Sequence, residues 1–104
     1  PNRAEACLLL GMVLYRRGLY AQAESELSRA IALDGQNAAA HYYRGEALNH
    51  LGRIDEALSM LMRAVELDPS NARAYYTMGI LYDRKNLREE AAAMYRVARQ
   101  LGGR

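Results

Sequence analysis

Small side chains recur along this chain at a fixed interval of 34 residues. Gly11, Gly45 and Gly79 stand 34 positions apart, and no insertion breaks the count. Four further rows keep the same interval: Ala23, Ala57 and Ala91; Ala30, Ala64 and Ala98; Leu14, Leu48 and Tyr82; Leu27, Leu61 and Tyr95. A constant period of this length indicates one supersecondary unit that is repeated in space, each copy burying the open face of its neighbour.

Each unit carries the pattern of two helices. In both halves of the second unit, apolar side chains recur at steps of three and four residues, as they do on amphipathic helices. Gly52 lies between the halves and can adopt the left-handed conformation that ends a helix; Gly18 and Asn86 hold the equivalent positions. Pro69 stops the second helix, and Asn71 can cap the helix that follows. We therefore predict an all-α chain of six antiparallel helices, at 4–17, 21–33, 38–51, 55–67, 72–85 and 89–101.

The small residues predict close pairing of the two helices in a unit. Gly45 and Gly79 fall in the middle of first helices, where glycine costs up to about 1 kcal/mol relative to alanine. A costly residue in equivalent places indicates that a partner helix approaches there. Ala57 and Ala64 lie seven residues apart on one stripe of the second helix and would face that approach.

The pattern of the second unit resembles the tetratricopeptide repeat, a helix-turn-helix unit of 34 residues. The residues that carry the likeness are Leu48, Gly52, Ala57, Leu61, Ala64 and Pro69. The resemblance implies one domain over 1–104, built of units 4–37, 38–71 and 72–104. It also implies a right-handed superhelix whose first helices line a concave groove, here without a solvating helix after the third unit. Cys7 and His41 depart from the family pattern, which often has tryptophan there.

The resemblance also predicts which side chains face the groove. It suggests an apolar, tyrosine-rich floor with mixed charge at the rim, suited to a helical or extended peptide segment of a partner protein. The alternative is that these residues pack against one another or a neighbouring chain. The groove residues expected to bind are Leu8, Met12, Tyr15, Arg16, Tyr42, Tyr43, Glu46, His50, Arg73, Tyr76, Ile80 and Arg84.

One row of the predicted groove is basic. Arg16, His50 and Arg84 hold equivalent positions and could form a ladder that binds a carboxylate. Alternatively, each residue only stabilises the negative end of its own helix dipole.

Two known binding modes of the family are disfavoured. Co-chaperone members grip terminal carboxylates with Lys, Asn and Arg, whereas only Arg73 is basic among the matching residues here. Those residues are Leu8, Met12, Tyr43, Arg73 and Thr77. Members that hold an extended peptide by its backbone use asparagines, and that row reads Leu9, Tyr43 and Thr77.

No motif indicates catalysis, a cofactor or a metal. His41 and His50 are nine residues apart and point to opposite faces of one helix, and Cys7 has too few companions for a zinc site. The net charge of +2 and the dispersed basic residues argue against nucleic acid. The most apolar run, Cys7–Tyr15, is about half the length that crosses a bilayer. We therefore expect a non-enzymatic interaction module, most simply cytoplasmic, with a protein or peptide partner and no membrane insertion.

The ends of the repeat array suggest two alternatives. Helix one is apolar on nearly every side, and Val97 and Leu101 leave apolar surface at the other end. The chain could thus be a structural scaffold that forms homo-oligomers through uncapped ends, or the regulatory repeat segment of a larger protein. Arg99 stands where the earlier units have Ile31 and Val65, and Ala92 stands where the second unit has Leu58. These replacements suggest that the third unit lies near the end of its array.

Overall fold

The computed structural model describes residues 2–102, which form six helices joined by short turns, with no strand in that range. The predicted all-α class is confirmed, and each observed boundary lies within one residue of the predicted one. The helices are α1 (Arg3–Arg16), α2 (Tyr20–Leu33), α3 (Ala38–His50), α4 (Ile54–Leu67), α5 (Ala72–Arg84) and α6 (Arg88–Leu101).

Asparagine side chains begin the first helix of each pair. The Oδ1 atom of Asn71 accepts a hydrogen bond from the backbone N–H of Ala74 at 3.0 Å, as the sequence predicted. Asn2 and Asn37 cap α1 and α3 in the same way. These bonds satisfy backbone donors that have no partner within the helix.

Left-handed residues close the turns between paired helices. Gly18 and Gly52 have φ angles of 79° and 77°, and Asn86 has a φ of 62°. The three predicted turn residues therefore adopt the predicted conformation, which reverses the chain so that the second helix folds back on the first.

The helices of a pair approach closely at the glycine row, as predicted. A Cβ atom placed on Gly45 would lie 2.7 Å from Cγ of Leu61, and one placed on Gly11 would lie 2.6 Å from Cγ of Leu27. The same atom on Gly79 would overlap the ring of Tyr95. Glycine is needed because a large side chain of the second helix fills the space beside it.

The core forms two clusters along an elongated molecule of 42 × 26 × 21 Å. One cluster joins α1, α2 and α3 around Leu27, and the other joins α3, α4 and α5 around Leu61. Because α1 contacts α3 and α3 contacts α5, these three first helices lie side by side and share one face. We call this surface the first-helix face.

Candidate functional site

Aromatic rings gather on the first-helix face where α1 meets α3. The ring of Tyr15 lies 5.8 Å from that of Tyr43, which in turn lies 5.0 Å from that of Tyr42, both in edge-to-face geometry. All three side chains are half-buried. Aromatic pairs at such distances stabilise one another, and the half-burial leaves part of each ring accessible. We call these three residues the tyrosine cluster.

A buried carboxylate lies beside the tyrosine cluster. Glu46 is only 2% exposed and accepts a hydrogen bond from Oγ1 of Thr77 at 2.6 Å. Burial and then the nearby Glu46 carboxylate raise the pKa of Tyr15 to about 12, and the same two causes raise the pKa of Tyr42. Both phenols therefore stay neutral well above neutral pH and keep a proton to donate.

A second aromatic group lies at the α5 end of the face. Tyr76 is 46% exposed, its ring lies 5.6 Å from that of Tyr95, and the guanidinium of Arg73 stands 5.8 Å from the Tyr76 ring centre. The hydroxyl of Tyr95 donates to Asp83 at 2.9 Å. Partial burial and this bond raise the pKa of Tyr95 to about 12. Both rings border a cleft of about 800 Å³ between α5 and α6, whose lining is Ala72, Arg73, Tyr76, Tyr95, Ala98 and Arg99.

Two of the twelve groove residues predicted to bind a partner, Leu8 and Glu46, are buried. Leu8 is 8% exposed because it belongs to the core cluster that α3 completes with Ala40. Glu46 is buried because Thr77 of the neighbouring first helix closes over it. The other ten predicted residues are at least partly exposed. Met12, Tyr15, Tyr42, Tyr43 and Ile80 are half-buried, while Arg16, His50, Arg73, Tyr76 and Arg84 are exposed.

The predicted basic ladder also needs correction. The His50 ring stacks on Tyr20 with centroids 4.1 Å apart and planes 4° apart, and its Nε2 lies 3.5 Å from the Tyr15 hydroxyl. Arg84 donates to Oδ1 of Asn49 at 3.0 Å. Two members of the row thus already have partners inside the protein, so the row is not a set of three free cations.

Sequence reasoning missed Tyr20. This residue begins α2, a second helix, and the groove was predicted from first helices alone. Its stacking on His50 brings it to the edge of the tyrosine cluster, and its ring lies 5.6 Å from that of Tyr15. The available signal was the pair of aromatic side chains, Tyr15 and Tyr20, on either side of the Gly18 turn.

Within residues 2–102, no group of three or more His, Cys, Asp and Glu side chains could hold a metal ion. His41 is 6% exposed, and its Nε2 lies 3.1 Å from the backbone oxygen of Gly35. The helices in this range are too short and too polar for any of them to cross a bilayer.

Two family models, both described as tetratricopeptide repeat, match this chain. One matches residues 8–72, which is more than half of the sequence, and the other matches residues 48–101. The chain belongs to the tetratricopeptide repeat family.

Solved structures of other tetratricopeptide repeat proteins have the same fold. The crystal structure of MamA is 30% identical with a TM-score of 0.90 over 98% of this chain and 60% of its own. YrrB, described as having an unusual peptide-binding site, is 32% identical with a TM-score of 0.88 over 97% of this chain and 52% of its own. The second repeat domain of Spaghetti (RPAP3), bound to the HSP90 peptide SRMEEVD, is 25% identical with a TM-score of 0.90 over 95% of this chain and 92% of its own.

These likenesses confirm an all-α helical repeat fold. Tetratricopeptide repeats are a type of repeat that mediates protein–protein interactions. The chain spans only 60% of the MamA structure. A search of curated protein sequences gave no match.

Proposed function

We propose that this chain is a non-enzymatic interaction module that binds a helical or extended segment of a partner protein along the first-helix face. The observation that carries the proposal is the tyrosine cluster, together with Tyr76, left partly exposed on one continuous face. Tyrosine supplies a large rigid contact area at low entropic cost and a hydroxyl that can bond to a peptide backbone.

The chemistry of the face favours apolar anchors over an acidic tail. Met12 and Ile80 are half-buried apolar side chains of α1 and α5, while Arg73 and Arg84 supply charge at the α5 end. Peptides bound in grooves gain most of their affinity from a few apolar or aromatic anchors in such surroundings. The structure of Spaghetti (RPAP3) bound to an HSP90 peptide supports a peptide as the ligand, because that repeat domain has the same fold. This chain lacks most of the basic and amide residues that the family uses to grip a terminal carboxylate.

The test is peptide binding measured by fluorescence anisotropy. Short peptides selected on the immobilised chain from a random display library would be compared with SRMEEVD. We expect the selected peptides to share apolar or aromatic anchors and to bind more tightly than SRMEEVD. The double variant Tyr42→Ala plus Tyr76→Ala should weaken their binding at least about tenfold, since two lost anchors at about 1 kcal/mol or more each exceed the roughly 1.4 kcal/mol that a factor of ten requires.

Met62→Ala is the matched control. Met62 lies on α4 and is 47% exposed, close to the 46% of Tyr76, but it is not on a first helix. The control should bind as the wild type does. Thermal unfolding followed by circular dichroism must show that the double variant is folded at the assay temperature. Unchanged binding by a folded double variant would refute the proposal.

A further inference from the structure

Helix α1 exposes an apolar stripe at positions whose equivalents in α5 are buried. Leu9, Leu10 and Val13 are 54%, 47% and 48% exposed. Two units later the same positions are Thr77, Met78 and Leu81, which are 2%, 4% and 0% exposed. They are buried because α5 packs on α3 and α4. Within the described residues no helix covers α1 in this way. We call its stripe the head face.

The opposite end of the molecule shows the complementary feature. Tyr76 on α5 stands where α1 has Leu8, yet Tyr76 is 46% exposed and Leu8 is 8% exposed. The difference arises because α3 packs over Leu8, whereas the cleft between α5 and α6 has no such covering helix within the described residues. We call this cleft, with the adjoining surface of α5 and α6, the tail face.

We propose that the head face of one copy packs into the tail face of a second copy, as α3 packs on α1 and α2. The internal repeat allows the contacts to be assigned, because each contact between units has an equivalent one period further along. Moving such a contact one period further along pairs a residue of α5 or α6 with a residue of α1, or of its C-cap, from the second copy.

Two contacts between neighbouring units are polar in the protein, but their equivalents at the new interface are pairs of apolar side chains. Thr77 donates a hydrogen bond to Glu46 between the third and second units. One unit earlier the equivalent pair is Tyr43 and Met12, and at the new interface it is Leu9 and Ile80.

A second contact follows the same rule. Arg44 pairs with Glu24 at 2.9 Å between the second and first units. The next pair in that series is Met78 with Leu58, both in one core cluster, and the new pair is Leu10 with Ala92. The copies would therefore meet through apolar side chains that are now exposed to water.

Two pairs of opposite charge follow from the same continuation. The contact of His50 with Tyr15 and that of Arg84 with Asn49 are equivalent, one period apart. The next pair in this order is Arg16 of the second copy with Asp83. Lys85 forms an ion pair with Asp55, so the second new pair is Arg17 with Glu89. One pair of like charges is unfavourable. Tyr20 stacks on His50, and the equivalents of these two residues at the new interface are Arg88 and Arg16 of the second copy. Asp83 and Glu89 flank this position on the tail face, so charge complementarity selects head against tail.

A head-to-tail contact uses different surfaces on the two partners. It therefore does not close at two subunits and extends into chains whose length grows with concentration. This interface lies at the ends of the molecule, so the tyrosine cluster remains accessible in every subunit, whereas Tyr76 lines the tail-face cleft and would be covered by the second copy. The proposal does not depend on the peptide-binding function, and Tyr42→Ala should leave association unchanged.

The first test is the mass of the 104-residue chain in solution, measured by sedimentation velocity over a wide concentration range. We expect the weight-average mass to rise steadily above the 11.7 kDa of the monomer. Leu10→Glu should hold the protein at the monomer mass, because it places a charge in the apolar contact. Met62→Glu is the control, since Met62 and Leu10 are both 47% exposed, and it should associate as the wild type does.

Three results of this first test would overturn the proposal. A wild-type mass that stays at 11.7 kDa would leave both faces to a different occupant. A mass that stops rising at twice this value would indicate a closed dimer rather than a growing chain. Association that survives Leu10→Glu would place the contact on another surface.

A charge-swap experiment tests the head-to-tail geometry directly. Arg17→Glu places two acids opposite each other and Glu89→Arg places two cations there, so each variant alone should associate several-fold more weakly. In an equimolar mixture, every contact between unlike subunits again joins opposite charges, and the wild-type mass profile should return. Failure of the mixture to recover would overturn the assigned pairing. Both residues lie on exposed positions, so the variants should fold.

Discussion

At the residue scale, the close packing of two paired helices depends on glycine, which lacks the Cβ atom of every other residue. Gly45→Ala would place a Cβ 2.7 Å from the side chain of Leu61 and 3.3 Å from the backbone oxygen of Ala57. Alanine gains up to about 1 kcal/mol of helix propensity, but overpacking a rigid core costs about 1–3 kcal/mol. Leu61 is fully buried and has little room to move. We therefore expect a net loss of stability in urea unfolding, with no change in helix content.

A double-mutant cycle separates the clash from the propensity. In a Leu61→Ala background the obstructing side chain is gone, so Gly45→Ala should be neutral or stabilising there. Stabilisation by Gly45→Ala in the wild-type background would show that the glycine row is not kept for close approach.

The same scale shows where prediction from sequence stopped. The glycine row was predictable because its cost in a helix has one physical explanation, repeated three times. The burial of Glu46 and the stacking of His50 were not predictable, because each depends on the residue facing it from another helix. Thr77 is 31 positions from Glu46, and Tyr20 is 30 positions from His50. A position in the unit defines the direction of a side chain, whereas its exposure depends on these specific partners.

At the element scale, the asparagine caps connect one pair of helices to the next. Asn71→Ala removes the acceptor that Ala74 uses and should destabilise the chain by about 1 kcal/mol. Asn71→Asp keeps the acceptor and should remain near the wild type. Urea unfolding of the two variants measures the difference. Equal stability of Asn71→Ala and the wild type would mean that water replaces the cap at no cost.

The element boundaries were the most predictable part of the fold. Turn residues with defined conformations, Gly18, Gly52 and Asn86, lie one period apart and fix where each pair reverses. The caps and the proline then fix the other ends. The face shared by α1, α3 and α5 could be named from the family resemblance, but its depth and accessible rings required the packing between units.

At the scale of the whole molecule, stability should fall from the centre towards the ends. In an array whose units contact only their neighbours, an end unit has one neighbouring unit and an inner unit has two; here α6 contacts only α5, whereas α4 contacts α3 and α5. Four side chains of α4 are buried, at Ala57, Leu58, Leu61 and Ala64, whereas α6 buries Ala91 alone. Amide hydrogen exchange at low protein concentration should therefore give α6 clearly weaker protection than α4.

The concentration dependence of that exchange connects end fraying to self-association. If a second copy covers the head and tail faces, protection should rise in α1 and α6 at high concentration and stay constant in α4, which lies between them. Leu10→Glu should abolish the rise without changing the pattern at low concentration. Equal protection of α4 and α6 in the dilute protein would contradict the expected gradient. A rise confined to α3 would instead indicate that the copies meet through the first-helix face.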